Sequence, residues 1–555
     1  MARVMSNSPT SFADWQSYPS TLDPIHVAWL KQAKKSKTAF AVADIEGIEI
    51  SHKKFLTGVL LFSKKIETYS PEQNVGLLLP RSGGGAIASM AILSLGKTVV
   101  NLNFTAGKKA LQSAVKQAEV KHIYTSRKFL DKMSEKGMKL ESFFPGVKLL
   151  MLEDIKEEIS TLARLGTLLK AILMPVGSIR KRYFKEVSMN DTAAILFSSG
   201  SEGSPKGVEL SHANIAANAK QAAIELGAVN SDVIMSTLPT FHAFGFAITT
   251  LMPLAEGIPI VCHSDPKDVA TIASGIEKYS GTILVGTPTF LRMYSINKKV
   301  TSKSMQSLRL VVAGAEKLRT EVSEGFESKF NIPVYEGYGT TETSPGASVN
   351  LPDIAATDSK PEKLRNRPGT VGRAFSGTEF RIVDPDSLDP IATGEDGLIL
   401  IGGPQIMKGY LKMPEKTAEV IELIDGYRWY RTGDKGHLDE DGFLTIVDRY
   451  SRFVKIAGEM ISLTTVEEEI LDACNDADLE IAATCLPDQR KGEKIVLLAT
   501  TDMDKNKLKK ILSDAKINPL YHPANVLNVD EIPKLGSGKI DFSATKKIAL
   551  VNDQA

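Results

Sequence analysis

Five short stretches of this 555-residue chain carry side chains whose types and spacing could do chemistry. The first is Ser198-Ser199-Gly200-Ser201-Glu202-Gly203-Ser204-Pro205-Lys206-Gly207, directly after the apolar run AAILF. Glycine removes the side chain that would keep phosphate oxygens away from backbone N–H groups, and serine hydroxyls add donors. Lys206 adds a positive charge on a long stem. The order does not fit GxxxxGK[ST]. A plain Gly/Ser linker would not need to follow a buried strand in this fixed order. The second stretch, Glu336-Gly337-Tyr338-Gly339-Thr340-Thr341-Glu342, offers a ring to stack on a purine, a hydroxyl for a phosphate and a carboxylate for Mg²⁺ beside a triphosphate. Taken alone, it is also an ordinary turn string. The third ends Tyr430-Arg431-Thr432-Gly433-Asp434, where an Asp after a Gly turn can accept both hydroxyls of a ribose or simply close the turn. The fourth runs from Asp448-Arg449-Tyr450-Ser451 to Gly458-Glu459, and the fifth, Pro533–Lys539, reads as a flexible loop presenting Lys539.

Such groups need a scaffold, and the chain spells one out. Short apolar runs at Asn74–Leu79, Lys121–Thr125, Lys148–Leu152, Ala193–Phe197, Thr282–Val285 and Leu308–Ala313 are each followed by a turn and a helix-like pattern. That alternation predicts parallel sheets with crossover helices. From Gly369 the texture changes to short strands and Gly turns, at Glu379–Val383, Gly397–Ile401 and Gly442–Val447, which predicts a more antiparallel subdomain. A mixed segment follows from about Asp448. The polar run Pro352–Pro368 reads as an exposed loop, and no internal repeat is present. The fold class is therefore α/β: a large N-terminal domain of parallel αβ-layered sheets, a small β subdomain, and a small α+β C-terminal domain.

Composition narrows the function. Hydrophobic residues at 43% and charged residues at 24% describe a globular chain with a real core. Lys+Arg 67 against Asp+Glu 66 leaves a net charge of +1, which argues against a nucleic-acid partner. Cys262, Cys474 and Cys485 form no CxxC pair and suit a reducing compartment, and no HExxH occurs. Met1–Gln16 lacks the apolar core of a signal peptide. Val233–Ala255 carries no Asp, Glu, Lys or Arg, but Pro239, His242 and Pro253 interrupt it, so a buried strand–loop–helix is expected. Thr161–Lys185 has no acid and six basic residues, Arg164, Lys170, Arg180, Lys181, Arg182 and Lys185, among leucines and isoleucine. It reads either as a helix lying in an anionic membrane surface or as an ordinary surface helix packed on its own domain.

All five stretches, in this order, resemble the adenylate-forming superfamily of acyl-CoA synthetases, amino-acid adenylation domains and luciferases. The resemblance covers nearly the whole chain. Glu202, Leu102–Gly107 (LNFTAG), Ser126–Lys132 (SRKFLDK), Val311–Leu318 (VVAGAEKL), Lys455–Met460 (KIAGEM) and Leu535–Phe542 (LGSGKIDF) look like one branch. That branch is the acyl-ACP synthetase domain of the bacterial 2-acylglycerophosphoethanolamine acyltransferase/acyl-ACP synthetase. The resemblance implies an adenylate-forming domain over 1–447 with a β-rich part at 369–447, a hinge at 448–451, and a mobile C-terminal domain over 452–555. It implies that Ser198, Ser199, Gly200, Ser201, Glu202, Gly203 and Lys206 hold the pyrophosphate end of ATP. Tyr338 and Gly339 would lie at the adenine, with Gly314, Ala315 and Glu316 nearby. Thr341 would contact the α-phosphate, Glu342 the Mg²⁺, and Asp434 with Arg449 the ribose. Lys539 would be the mobile catalytic lysine, Gly458 would border a thiol tunnel, and His242 would sit at the acyl pocket, where an ordinary core histidine is the competing reading.

The implied reaction activates a fatty acid with ATP and Mg²⁺ and passes it to holo-acyl carrier protein, with fatty acyl-CoA synthetase as the alternative. A third reading, a non-catalytic acyl- or nucleotide-binding protein at a membrane, is disfavoured by Lys539, Glu342 and Asp434. An amino-acid substrate is disfavoured because Phe241-His242 offers no Asp for an ammonium. Arg490, Lys491, Lys494, Lys505, Lys507, Lys509 and Lys510 are candidates to steer an acidic carrier protein. The implied location is the bacterial cytoplasm, with peripheral attachment to the inner face of the membrane. Two positions depart from the pattern: Ser451 stands where Asp or Lys is usual, and Asp448 where Gly commonly precedes the Arg. His263 and Asp268 match HxxxxD without an acyltransferase domain around them, which reads as chance.

Overall fold

The computed structural model describes residues 11–36, 39–198, 205–354, 363–456, 459–476, 479–488, 492–535 and 539–553. The chain forms two compact units. Among the described residues, the first takes in those up to Arg381 together with Leu400–Arg431; the second takes in Ile382–Ile399 and those from Thr432 onward.

Two sheets organise the first unit. A nine-stranded sheet has the parallel core Val334–Gly339, Leu310–Gly314, Ile283–Gly286, Ile234–Ser236, Ile260–Cys262 and Val42–Asp44, with antiparallel strands at both edges. A seven-stranded sheet has the parallel core Thr192–Ser198, Thr98–Asn101, Asn74–Leu77, His122–Thr125 and Lys148–Met151. Lys206–Ser211 and then Gly409–Tyr410 add to its edge antiparallel. Strands buried on both faces read as unbroken apolar runs, which is why these segments could be placed from the sequence. The charge-free run is a buried strand, Ile234–Ser236, followed by a turn, a π-helical segment Phe244–Leu251 and a short helix Met252–Glu256. Among the described residues no helix is long and apolar enough to cross a membrane.

In the second unit the latter half of the strand Tyr427–Leu438 pairs antiparallel with Leu444–Arg449. Beyond it lies a five-stranded sheet built on the hairpin Ile481–Asp488/Gly492–Ala499, packed around Val454, Val466, Ile470 and Leu497. The large parallel-sheet unit and the smaller β-containing C-terminal unit are the expected α/β architecture. The HxxxxD pair is local structure: Asp268 caps the helix Val269–Tyr279 through Thr271 N–H at 3.2 Å, and His263 lies 3.5 Å from its carboxylate.

Candidate active site

In the first unit, the C-terminal ends of adjacent parallel strands carry two of the motifs. Leu310–Gly314 pairs with Val334–Gly339 so that Gly314 faces Gly337, which sets Gly314-Ala315-Glu316 beside Tyr338. Open parallel sheets bind their ligands at such carboxyl ends. Ala315 has φ +74°, an unusual left-handed conformation for a residue with a Cβ. Glu316 is anchored: its carboxylate accepts from Thr289 Oγ1 at 2.7 Å and from Thr289 N–H at 3.2 Å.

The turn after Tyr338 is tightly held. A Cβ on Gly339 would fall 1.8 Å from Pro345 O, so only glycine fits there. Thr343 caps the short turn Thr341–Thr343, its hydroxyl accepting from Thr340 N–H at 3.0 Å. Thr341 is half-buried, and Glu342 is 8% exposed. The Glu342 carbonyl accepts from Met407 N–H at 2.8 Å, and its carboxylate accepts from the Tyr410 hydroxyl at 2.9 Å. Tyr410 belongs to the edge strand paired with Lys206–Ser211, and Lys206 Nζ sits 5.4 Å from its ring centroid. Tyr410 thus joins the cation of the Gly/Ser stretch to the carboxylate of the Glu342 turn. Ser198 pairs in register with Lys206, so both flanks of the Gly/Ser stretch are fixed. Ser199, Gly200, Ser201, Glu202, Gly203 and Ser204 lie outside the described residues.

His242 is half-buried beside Phe241, at 4.8 Å between ring centroids, and Phe241 packs edge-on to Phe104. The π-helical segment begins two residues later, and Phe244 leans against Gly314, where a Cβ would meet its ring at 3.0 Å. Arg81 pins this segment from beneath. Its buried guanidinium donates to the carbonyls of Gly245 and Thr249 at 2.9 Å each, and to Ser236 and Thr250. Burial lowers its pKa to about 10, which still leaves it a cation at neutral pH.

In the second unit, Asp434 and Arg449 lie opposite each other on paired strands. The Asp434 carboxylate is buried and accepts from Arg449 Nε at 2.9 Å, while the Arg449 side chain is largely exposed. Asp448, one of the two departures, has a structural use. Its carboxylate accepts from Arg449 N–H at 2.7 Å, Ser462 Oγ at 2.6 Å and Thr464 N–H at 3.1 Å, tying the strand end to the start of the helix Leu463–Cys474. Ser451 lies exposed in the short turn Tyr450–Arg452. Lys539 is half-buried, and its carbonyl accepts from Leu535 N–H at 2.7 Å. Gly458, Arg490 and Lys491 lie outside the described residues.

Sequence reading missed Tyr410, Arg81 and the carboxyl of Glu336. Burial raises the Glu336 pKa to about 7, opposed by the Leu318 N–H at 2.9 Å and by nearby Lys317. No spacing rule links Tyr410 to Glu342; only the sheet edge brings them together. Among the described residues no three His, Cys, Asp or Glu gather as a metal cluster. A divalent ion at Glu342 would therefore rest on one carboxylate and the substrate's own phosphates, a donor set that fits Mg²⁺.

A family model described as AMP-binding enzyme matches residues 29–411. Peroxisomal OPC-8:0-CoA ligase 1 of Arabidopsis thaliana is 29% identical over 486 residues, covering 86% of this chain and 84% of that protein. A long-chain-fatty-acid–CoA ligase of Salmonella typhimurium is 29% identical over 372 residues, 65% of this chain and 62% of that protein. The crystal structure of ATP-bound MatB from Rhodopseudomonas palustris superposes with a TM-score of 0.75 at 22% identity, covering 94% of this chain and 98% of that one, a likeness of fold.

Proposed function

This chain belongs to the AMP-binding enzyme family, and from that premise we propose that it activates a fatty acid as acyl-AMP and transfers the acyl group to the thiol of CoA. A free carboxylate resists acyl transfer because its leaving group would be oxide. Attack of a carboxylate oxygen on the ATP α-phosphorus forms the acyl–phosphate bond and expels pyrophosphate. The thiol sulfur then attacks the acyl carbonyl, loses its proton to solvent, and AMP leaves. The first step is displacement at phosphorus, so the protein's task is to position groups and neutralise charge.

The observation that supports this reading is the Lys206–Tyr410–Glu342 arrangement, which brings a cation and a carboxylate from separate parts of the chain together on one tyrosine. In the proposal Ser198–Lys206 embraces the pyrophosphate end, Tyr338 with Gly339 and Gly314–Glu316 receives the adenine, and Thr341 the α-phosphate. Asp434 and Arg449 take the ribose, and His242 borders the acyl chain. Lys539 stabilises charge in the first step, and Gly458 leaves room for the thiol in the second. Mg²⁺ held by Glu342 would neutralise triphosphate charge. Residues 448–451 are the proposed hinge by which the C-terminal domain presents different groups in the two steps.

CoA is favoured as carrier because the similar curated proteins are CoA ligases by name. One specific observation favours holo-acyl carrier protein instead: the branch stretches Val311–Leu318, Lys455–Met460 and Leu535–Phe542. Exposed Lys505, Lys507, Lys509 and Lys510 on the helix Lys505–Asp514 could meet its acidic surface. Thioester formation from fatty acid and MgATP, with CoA and holo-acyl carrier protein offered side by side, decides the matter. The proposal expects the CoA thioester to form at least as fast. Faster turnover on the carrier protein replaces CoA by that partner, and AMP release with neither thiol rejects the thioester step.

A further inference from the structure

The helix Thr161–Leu173 is built inside out. Ser160 caps it, accepting from Ala163 N–H at 3.2 Å. It packs on the helix His52–Tyr69, and its buried residues are the small Thr167 and Ala171. A surface helix normally turns its large apolar side chains inward. Here Leu162, Leu165, Leu169, Ile172 and Leu173 are exposed, from 40% at Ile172 to 82% at Leu162. At about 100° per residue the five fall in one arc of roughly 100°, on the side away from Thr167 and Ala171. This is a continuous apolar stripe facing solvent, which the sequence alone could not distinguish from a stripe facing the core.

Cations accompany it, one at its end and others close by in sequence. Lys170 on the same helix is exposed, as are Arg180, Lys181 and Arg182 in the last turn of the next helix, Val176–Tyr183. Lys34 lies at the C-terminal end of the stripe, donating to Ala171 O and Ile172 O at 2.8 Å each. No acid occurs from Thr161 to Lys185. Of the flanking acids, Glu158 is paired with Lys65 at 2.6 Å and Glu67 with Lys185 at 3.5 Å, and Glu157 and Glu186 are exposed. On a chain of net charge +1 this is a local concentration of positive charge.

We propose that this stripe and its cations dock the protein on an anionic lipid bilayer, with the helix lying in the plane of the headgroups. A second copy of the chain is the wrong occupant on two counts. A stable dimer needs about 800 Å² and 20–30 residues a side, more than one 13-residue helix offers. A two-fold contact would also set the basic belts against each other. A bilayer meets both needs at once: hydrocarbon for the leucines, anionic headgroups for the lysines and arginines. Docking stands on this surface alone. Its use, loading an acid that has partitioned into the membrane, rests on the fatty-acid reading above.

The test is sedimentation of the full chain with vesicles of phosphatidylcholine, alone or mixed with phosphatidylglycerol. Binding is expected to the mixed vesicles, at least tenfold weaker to phosphatidylcholine alone, and weakened by salt. Leu162→Ser with Leu165→Ser and Leu169→Ser should lower it tenfold or more. Arg180→Gln with Lys181→Gln and Arg182→Gln should lower it by roughly fivefold per charge removed. All six residues are exposed, so the fold should persist, and pyrophosphate exchange with a water-soluble short-chain acid should stay unchanged. Wild-type protein that ignores phosphatidylglycerol, or serine variants that bind as tightly as wild type, would overturn the proposal. So would a concentration-dependent dimer that the serine variants abolish. Loss of vesicle binding with intact acid activation refutes only the docking; vesicle binding without acid activation refutes only the proposed function.

Discussion

The Glu342 turn and the Lys539 loop carry opposite charges and are built in opposite ways. Glu342 is buried, its carbonyl is held by Met407, its carboxylate by Tyr410, and the glycine before its turn has no room for a Cβ. Lys539 sits half-buried on a loop closed by the bridge between Lys534 and Ile540 and by the hydrogen bond from Leu535. Packing of the first kind suits a group needed whenever nucleotide is bound, because preorganised dipoles need not be rearranged during reaction. A short loop on a separate unit suits a group needed for one step and unwanted in the next. The contrast teaches which group is held in place throughout and which is presented for a single step.

The sharpest way to break this contrast is Lys539→Ala. On its proposed role, losing a positive charge presented to the transition state costs about 3–4 kcal/mol, or 10²–10³-fold, by analogy with an oxyanion-hole donor. Pyrophosphate exchange should fall by that factor while thiolysis of supplied acyl-AMP is spared. On its proposed role at the thiol path, Gly458→Leu should do the reverse. If Lys539→Ala lost both half-reactions equally while circular dichroism showed it folded, the one-step role of the loop would be wrong.

Tyr410→Phe tests the fixed side. The ring that lies beside Lys206 remains, and only the hydroxyl that donates to Glu342 is lost. A hydrogen bond to a charged group is worth about 1.5–3 kcal/mol, so adenylation should drop about tenfold or more. If Glu342 holds the ion as proposed, part of that loss should return at high Mg²⁺. Thiolysis of supplied acyl-AMP is expected to stay within twofold. An unchanged Mg²⁺ dependence would mean that Tyr410 only packs.

What the sequence disclosed, and what it withheld, follows from the range of the forces involved. The buried strand Leu310–Gly314 was legible within two residues, because a strand covered on both faces is apolar throughout. Val233–Ala255 was legible as a core segment because its prolines and histidine exclude a span, although nothing in it announced the π-helical geometry that Arg81 holds. Motif order pointed to Tyr338, Glu342 and Asp434, but their partners come from elsewhere in the chain. Tyr410 is 68 residues from Glu342, and no periodicity reaches that far. Asp448 looked like a defect in the motif. Its three hydrogen bonds show it as a clasp between a strand and a helix, which only tertiary structure could reveal.

The last expected effect falls on stability rather than activity and concerns the cost of rigidity on the fixed side. Glu336 lies on the strand that ends in the Tyr338 turn, buried, with its carboxylate accepting from Leu318 N–H at 2.9 Å. Burial outweighs that bond and raises its pKa from 4.5 to about 7. A carboxyl raised on folding binds more protons in the native than in the unfolded state, so stability must fall as pH rises. The loss begins near the unfolded value of 4.5 and is complete above about 7. Each tenfold change in proton affinity is worth about 1.4 kcal/mol, so the whole effect is of order 3 kcal/mol. Glu336→Gln keeps a carbonyl oxygen for Leu318 and cannot ionise. The variant should therefore match wild type at pH 4.5 and exceed it above pH 7, by an amount read from thermal unfolding across that range. Stability curves that stay parallel from acid to alkaline pH would show that Glu336 is already ionised in the folded protein, and that the fixed side carries no such cost.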